Sequence, residues 1–197
     1  MFYNDPLNTG KDDYKWRIGF WKRLLAYIID MFIYGIIFLI IITVFTNFGE
    51  KIEVLLNLDL TLILTSIEMM REFNNIMLNS IIPLSLVIGI IYYSTEIFFA
   101  ATPGKMILGI VIGSANKESA RLQQLISRFL IKNISSLFAL LFILTKFVLF
   151  DILSSMLSAV IFFGCFLVLT ERRQSLYDMI VKTAVYYKDE LKQFDKL

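Results

Sequence analysis

Residues 19–45 read GFWKRLLAYIIDMFIYGIIFLIIITVF, an aromatic and basic stretch followed by a long apolar run. In that run, from Leu24 to Phe45, Asp30 is the single charged residue. Because about 20 helical residues cross a hydrocarbon core roughly 30 Å thick, the run is long enough for a transmembrane helix. It is also longer than the apolar core of a secretory signal, which predicts a retained membrane helix.

The composition of the whole chain indicates the same class of protein. Hydrophobic residues make up 57% of the 197 residues and charged residues 18%, whereas a soluble domain carries about 25% charged residues. The net charge of +2 gives no sign of nucleic-acid binding. Cys165 is the single cysteine and histidine is missing, so an intramolecular disulfide and a Cys–His site are excluded. We therefore expect an integral membrane protein without cofactor or resident metal, and the sequence has no recognisable catalytic constellation.

The apolar segments predict an all-α membrane protein with four transmembrane helices. Residues 109–112 (GIVI) and 183–187 (TAVYY) are rich in β-branched or aromatic residues, which predicts a short β pairing in a small interfacial or cytoplasmic cap. The expected order is a polar tail (1–18), one membrane domain (19–187) and a charged tail (188–197). Within the membrane domain, we expect an amphipathic outer loop at about 50–77 and helices at about 24–45, 81–101, 129–147 and 152–170.

The distribution of lysine and arginine predicts the orientation. Basic residues are concentrated before the first helix, between residues 102 and 128, and after the fourth helix. Because basic residues in short loops favour the cytoplasmic side, both termini are expected in the cytoplasm of a bacterium, with the helices in its inner membrane and the basic segments near anionic headgroups.

This orientation brings the intramembrane charges to one face. Asp30 is expected about 10 Å inside the membrane, and Glu96 and Lys132 lie near the same inner ends of their helices. Because helical side chains lean toward the N-terminus, Arg23 is expected to point away from Asp30 and to pair with another segment. The sequence favours Asp178 as the partner of Arg23.

For Asp30 the expected partner is Lys132 or Arg128. An ionised carboxylate at membrane depth is costly, so it needs a partner or a function. Glu96, Lys132 and Arg128 thus form a secondary cluster beside the three charges Arg23, Asp30 and Asp178.

Three stretches together resemble the RDD family of small bacterial membrane proteins, which is named for one arginine and two aspartates. They are WKRLLAYIID (21–30), TPGKMILGIVI (102–112) and RQSLYDMIVKTAVYY (173–187). Matched residue by residue, the arginine is Arg23 and the aspartates are Asp30 and Asp178. A departure stands at Tyr177, where many members of the family have histidine.

The family also has a T-x-G-K-x-x-x-G pattern, which this chain meets with Thr102, Gly104, Lys105 and Gly109. The resemblance implies a membrane protein with a suspected transport role, and sodium–proton or potassium–proton exchange is suggested for some members.

The sequence leaves three functions open. In a transporter or exchanger, Asp30 would exchange a proton for a monovalent cation, with Glu96 as a second carboxylate. Arg23 and Asp178 would hold a cytoplasmic gate, and a homo-oligomer would form the conduit. In a scaffold or accessory subunit, the same residues would determine the fold and the basic segments would bind a partner. A lipid-handling enzyme that uses Asp30, Glu96 and Asp178 is the third alternative.

Overall fold

The computed structural model describes residues 14–45 and 67–191. The first helix, α1, runs from Phe20–Phe45. It therefore begins within the aromatic and basic stretch, four residues before the predicted start at Leu24, and it matches the predicted end.

The second membrane segment is a continuous run of three helical pieces. Helix α2 (Ile67–Ile76) is followed by a π-helix (Met77–Ile81) and by α3 (Ile82–Phe99). The π-helix comes just before Pro83, whose ring and missing N–H disturb the normal hydrogen-bonding pattern of a helix. Of the predicted outer loop at 50–77, residues 50–66 lie outside the described residues and residues 67–77 are helical.

The predicted β pairing is confirmed. Helix α4 (Pro103–Ile107) leads into strand β1 (Ile110–Ser114), which pairs antiparallel with β2 (Thr183–Tyr187). Both strands are buried except for their last residues. The apolar core under this small sheet consists of Ile18, Ala26, Ile110, Ile112, Leu125 and Val185.

The third predicted helix, 129–147, differs from the observed structure. It is divided into α5 (Leu122–Lys132) and α6 (Ile134–Thr145), which meet at an angle of 57°. At the break, the Asn133 side chain donates a hydrogen bond to the carbonyl of Phe129, 2.9 Å away. With 12 residues, α6 is about 18 Å long, which is shorter than a hydrocarbon core.

Helices α6 and α7 (Val148–Cys165) form a hairpin. Lys146 ends α6 in a left-handed conformation (φ 56°), so the chain reverses without glycine or proline. The hydroxyl of Ser154 donates to the carbonyl of Ser135 at 2.9 Å across the hairpin. The predicted fourth helix, 152–170, begins four residues earlier than expected, at Val148. A 3₁₀ turn (Phe166–Leu169) extends its C-terminal end.

Within the described residues, three helical segments are long and apolar enough to cross a membrane, and the bent α5–α6 pair makes a fourth if it is counted as one span. The chain ends with helix α8 (Leu176–Val181), strand β2 and a 3₁₀ turn (Lys188–Glu190). The observed fold is therefore the predicted one, a mostly helical membrane protein with a small antiparallel sheet.

Contacts divide the chain into two compact units. One extends to Met31 and resumes at Tyr93, and the other comprises Phe32–Tyr92. In the second unit, the Tyr34 hydroxyl donates to the carbonyl of Ser85 at 2.9 Å, and the Tyr34 and Tyr92 rings are 5.9 Å apart. All candidate site residues belong to the first unit.

Candidate functional site

Asp30 connects α1 to the start of α4. Its carboxylate accepts hydrogen bonds from the Thr102 hydroxyl at 2.5 Å and from the Gly104 N–H at 2.7 Å. The two segments approach so closely that a Cβ on Gly104 would lie 2.9 Å from the Asp30 nitrogen and closer still to the carbonyl oxygen of Ala26. The threonine and the first glycine of the T-x-G-K-x-x-x-G pattern are thus explained by one contact with α1.

The last glycine of that pattern is required for a different reason, its backbone conformation. Gly109 connects α4 to β1 with φ +64°, a conformation that side-chain-bearing residues rarely adopt. Its carbonyl accepts a hydrogen bond from the Lys188 N–H at 3.0 Å, just beyond β2. This glycine therefore makes the turn into the sheet.

The two cations expected beside Asp30 form ion pairs with other carboxylates. Lys132 and Arg128, the two candidates from the sequence, both contact Glu96. Asp30 instead faces backbone and hydroxyl groups of the segment that starts α4, since the tight turn after α3 brings Thr102 and Gly104 against α1. The predicted partners of Asp30 are corrected accordingly.

Glu96 is the centre of the cluster. It is completely buried, yet three cations surround its carboxylate. Lys105 Nζ lies 2.7 Å and Arg128 Nε 3.2 Å from Oε1, and Lys132 Nζ lies 3.1 Å from Oε2. These contacts join the end of α3 to α4 and α5.

Arg128 extends the cluster from Glu96 to Asp178. Its Nη1 lies 2.6 Å from Asp178 Oδ1, and Asp178 Oδ2 lies 2.6 Å from Nη1 of Arg23. The Arg23–Asp178 pair expected from the sequence is present. Because Arg128 is 1% exposed, both of its ion pairs are shielded from solvent. The cluster is thus one chain of charges, Glu96–Arg128–Asp178–Arg23.

Asp178 occupies the first turn of α8, where a carboxylate is favoured by the helix dipole. It also accepts a hydrogen bond from the Ser175 N–H at 3.3 Å and from the Thr183 hydroxyl at 3.4 Å. Burial alone would raise the pKa of the Asp178 carboxyl, but the charges of Arg128 and Arg23 hold that pKa below its usual value. Asp178 is therefore held as a carboxylate.

At Lys105, in contrast to Asp178, the surroundings disfavour the charged form. Burial lowers the pKa of its ammonium group from 10.5 to about 8, although Glu96 raises it, and the charges of Arg128 and Lys132 add to the lowering. Lys105 is thus a buried cation that can lose its proton in a mildly alkaline solution.

The sequence did not indicate that Arg17 belongs to the framework around this cluster. Arg17 is 5% exposed, and its guanidinium donates to the carbonyls of Arg172 at 3.0 Å and Ala115 at 3.1 Å. Arg23 likewise donates to the carbonyls of Ile18 and Arg173. Arg23 is indicated by the resemblance to the family and by its expected pairing with Asp178, whereas no signal in the sequence distinguishes Arg17 from the exposed Lys22.

The arrangement is therefore a set of charged contacts between segments that are distant in sequence. No group of three or more His, Cys, Asp or Glu side chains in the described part of the chain is arranged to hold a metal ion. These ion pairs and hydrogen bonds connect α1, α3, α4, α5 and α8 to one another.

Comparison with known proteins identifies the family. No curated protein and no solved structure matches this sequence. The RDD family model matches residues 17–182, a range that includes Arg23, Asp30 and Asp178. The chain therefore belongs to the RDD family.

Proposed function

We propose that this protein is a multi-pass protein of the bacterial inner membrane with both termini in the cytoplasm. Basic residues before α1, between α3 and α5 and after α7 support this orientation, because such residues favour the cytoplasmic side. In this orientation the charge cluster and the sheet lie at the inner leaflet, near anionic headgroups.

We further propose that the protein is a membrane scaffold or accessory subunit whose charge cluster holds a cytoplasmic cap in place, the cap being the β1–β2 sheet with α4 and α8. The observation that supports this function is the environment of Glu96. Its side chain is fully buried, and three cations lie within 3.2 Å of its carboxylate. An exchanging carboxylate must admit a cation to its oxygens. At Glu96 an incoming cation would meet Lys105, Arg128 and Lys132 on those same oxygens, and like charges repel.

The cap has exposed cations that a partner can contact. Among the described residues these include Arg121, Arg172, Lys182 and Lys188, whereas Lys105 and Arg128 are buried. In this function, Arg23, Asp178 and the T-x-G-K-x-x-x-G residues determine the position of the cap, and a membrane or cytoplasmic protein binds to it.

The second candidate function is exchange of a monovalent cation for a proton. It is favoured by the burial of Asp30, which is 3% exposed within a helix long enough to cross the membrane. An ionisable residue in such a position is by default a functional hypothesis. Asp30 would exchange the proton, and a homo-oligomer would supply the conduit.

A flux measurement distinguishes the two. The purified protein is reconstituted in liposomes that contain a pH-sensitive dye, and sodium or potassium gradients are applied to the wild type and to Asp30→Asn. We expect no cation-dependent proton movement from either protein and a lower thermal stability for Asp30→Asn. Proton movement that disappears in a folded Asp30→Asn variant would establish exchange instead, and a partner that co-purifies in fixed ratio would strengthen the scaffold.

A further inference from the structure

Among the described residues, the buried cluster contains more positive than negative groups. Its carboxylates are Glu96 and Asp178, and its cations are Arg23, Lys105, Arg128 and Lys132. Even if Asp30 is included, since it binds Gly104 beside Lys105, the cations are in excess by one. A buried charge is costly unless it is compensated. The excess positive charge would be compensated by a further bound anion or by the loss of a proton from one of the cations.

The excess is located at the two lysines. Arg128 bridges both carboxylates and Arg23 binds Asp178, whereas Lys105 and Lys132 share the single carboxylate of Glu96. Each ammonium group has three N–H donors. Among the described residues, each donates one hydrogen bond, to a different oxygen of Glu96. Lys132 Nζ also lies 4.8 Å from the centroid of the Tyr93 ring. Both lysines retain N–H donors for another acceptor.

Lys132 is the most exposed cation of the cluster. Its side chain is 23% exposed, compared with 12% for Arg23, 11% for Lys105 and 1% for Arg128. Lys132 directly precedes the bend into the apolar helix α6, and Lys105 follows the end of α3 by six residues. The same segments have exposed apolar side chains, namely Phe99, Met106, Ile107 and Leu130.

We propose that Lys105 and Lys132 together bind a phosphate group, either that of an anionic lipid headgroup or free phosphate. Lysine binds phosphate as a compact point charge. Two ammonium groups on opposite oxygens of one carboxylate present donors from two helices to the same anion. The position at the ends of apolar helices suits a lipid phosphate, with the neighbouring apolar side chains against the acyl chains.

The competing explanation is that no anion binds and Lys105 releases its proton. Burial lowers the pKa of Lys105 to about 8, so such a release balances the charge in mildly alkaline solution. The two explanations differ in a measurable way, because only the first requires phosphate.

The test is retention of lipid by the intact purified protein in native mass spectrometry. Phosphatidylglycerol, phosphatidylcholine or inorganic phosphate is added to the wild type, Lys132→Gln, Lys132→Arg and Lys146→Gln. Because one basic residue near an anionic surface contributes about 1 kcal/mol, we expect Lys132→Gln to bind phosphatidylglycerol about fivefold more weakly. Lys132→Arg keeps the charge and should retain the lipid. Lys146→Gln is the matched control, since Lys146 lies at the opposite end of α6.

The comparison of probes identifies the source of the phosphate. Preferential retention of phosphatidylglycerol supports the lipid, and binding of inorganic phosphate that is equally sensitive to Lys132→Gln supports free phosphate. Equal retention of both lipids, or retention that Lys132→Gln leaves unchanged, would overturn the site.

A measurement on the wild type covers the case in which Lys132→Gln does not fold. Inorganic phosphate should displace phosphatidylglycerol, and chloride at equal ionic strength should not, whereas equal displacement by both salts would refute a specific phosphate site. The proposal does not depend on the scaffold function, because lipid retention and ion flux are separate readouts.

Discussion

The charge cluster and the α6–α7 hairpin are stabilised in opposite ways. At the cluster, completely buried Glu96 and Asp178 bind cations from three other segments. In the hairpin, α6 has no buried residue, and the contacts described across it are the Ser154–Ser135 hydrogen bond and ring pairs such as Phe138–Phe150.

This difference separates two requirements of a membrane fold. Apolar helices need only be compatible with lipid, and many sequences satisfy that condition. The position of the cap, in contrast, depends on a few buried charges that tolerate no loss of a partner, because an uncompensated buried charge is strongly unfavourable. Substitutions should therefore have large effects at the cluster and small effects in the hairpin.

The largest effect is expected for Glu96→Gln. The variant leaves Lys105, Arg128 and Lys132 without their shared carboxylate, and the loss of one partner from a buried pair costs about 3–5 kcal/mol. Thermal unfolding in detergent checks this. Asp151→Asn, which removes an exposed carboxylate from the start of α7, should leave the unfolding temperature nearly unchanged.

Gly104→Ala should have the next largest effect. The new Cβ would overlap α1 at Ala26 and Asp30, and such overpacking costs about 1–3 kcal/mol. Gly35→Ala is the control, because a Cβ there meets nothing within 4 Å and alanine favours a helix. Equal stability of the two variants would refute the close approach of α4 to α1.

The pH dependence at Lys105 should be smaller. Its pKa in the folded protein is about 8, below the ordinary 10.5, so the charged form reduces stability below pH 8, and this penalty is relieved as the pH rises from 8 toward 10.5. In Lys105→Arg the charge persists. Between pH 7 and 9.5 the wild type should gain thermal stability relative to Lys105→Arg, whereas parallel pH profiles would contradict the burial of this ammonium group.

The smallest effect is expected for Ser154→Ala in the hairpin. It removes the hydrogen bond to the Ser135 carbonyl, and hydrogen bonds between membrane helices contribute about 0.6 kcal/mol on average. Thermal unfolding should shift by a small fraction of the change seen for Glu96→Gln. A shift as large as that one would show that the two regions are not stabilised differently.

The elements that depend on local pattern could be predicted from the sequence. Apolar length was sufficient for α1 and α7, and β-branched composition was sufficient for β1 and β2. The bend at Asn133 was missed, because apolar length alone does not show that Arg128 and Lys132 turn toward Glu96.

The pairing of the charges could be predicted only in part. Arg23 and Asp178 were matched by their position at the same face of the membrane. The sequence predicts a cation beside Asp30, whereas its carboxylate accepts hydrogen bonds from a hydroxyl and a backbone N–H of the T-x-G-K segment. Hydrogen bonds from a backbone N–H have no signature in residue identity, so this partner required the structure.

A double-mutant cycle on Glu96→Gln and Lys132→Gln tests most directly whether the cluster fastens the cap. Thermal stability of the wild type, both single variants and the double variant is compared with ion flux in the same preparations. We predict a double variant that is more stable than the sum of the single effects implies, by about 0.5–3 kcal/mol, with no flux from any of the four proteins. Additive effects on stability, together with flux that is present in the wild type and lost in Glu96→Gln, would contradict a structural role.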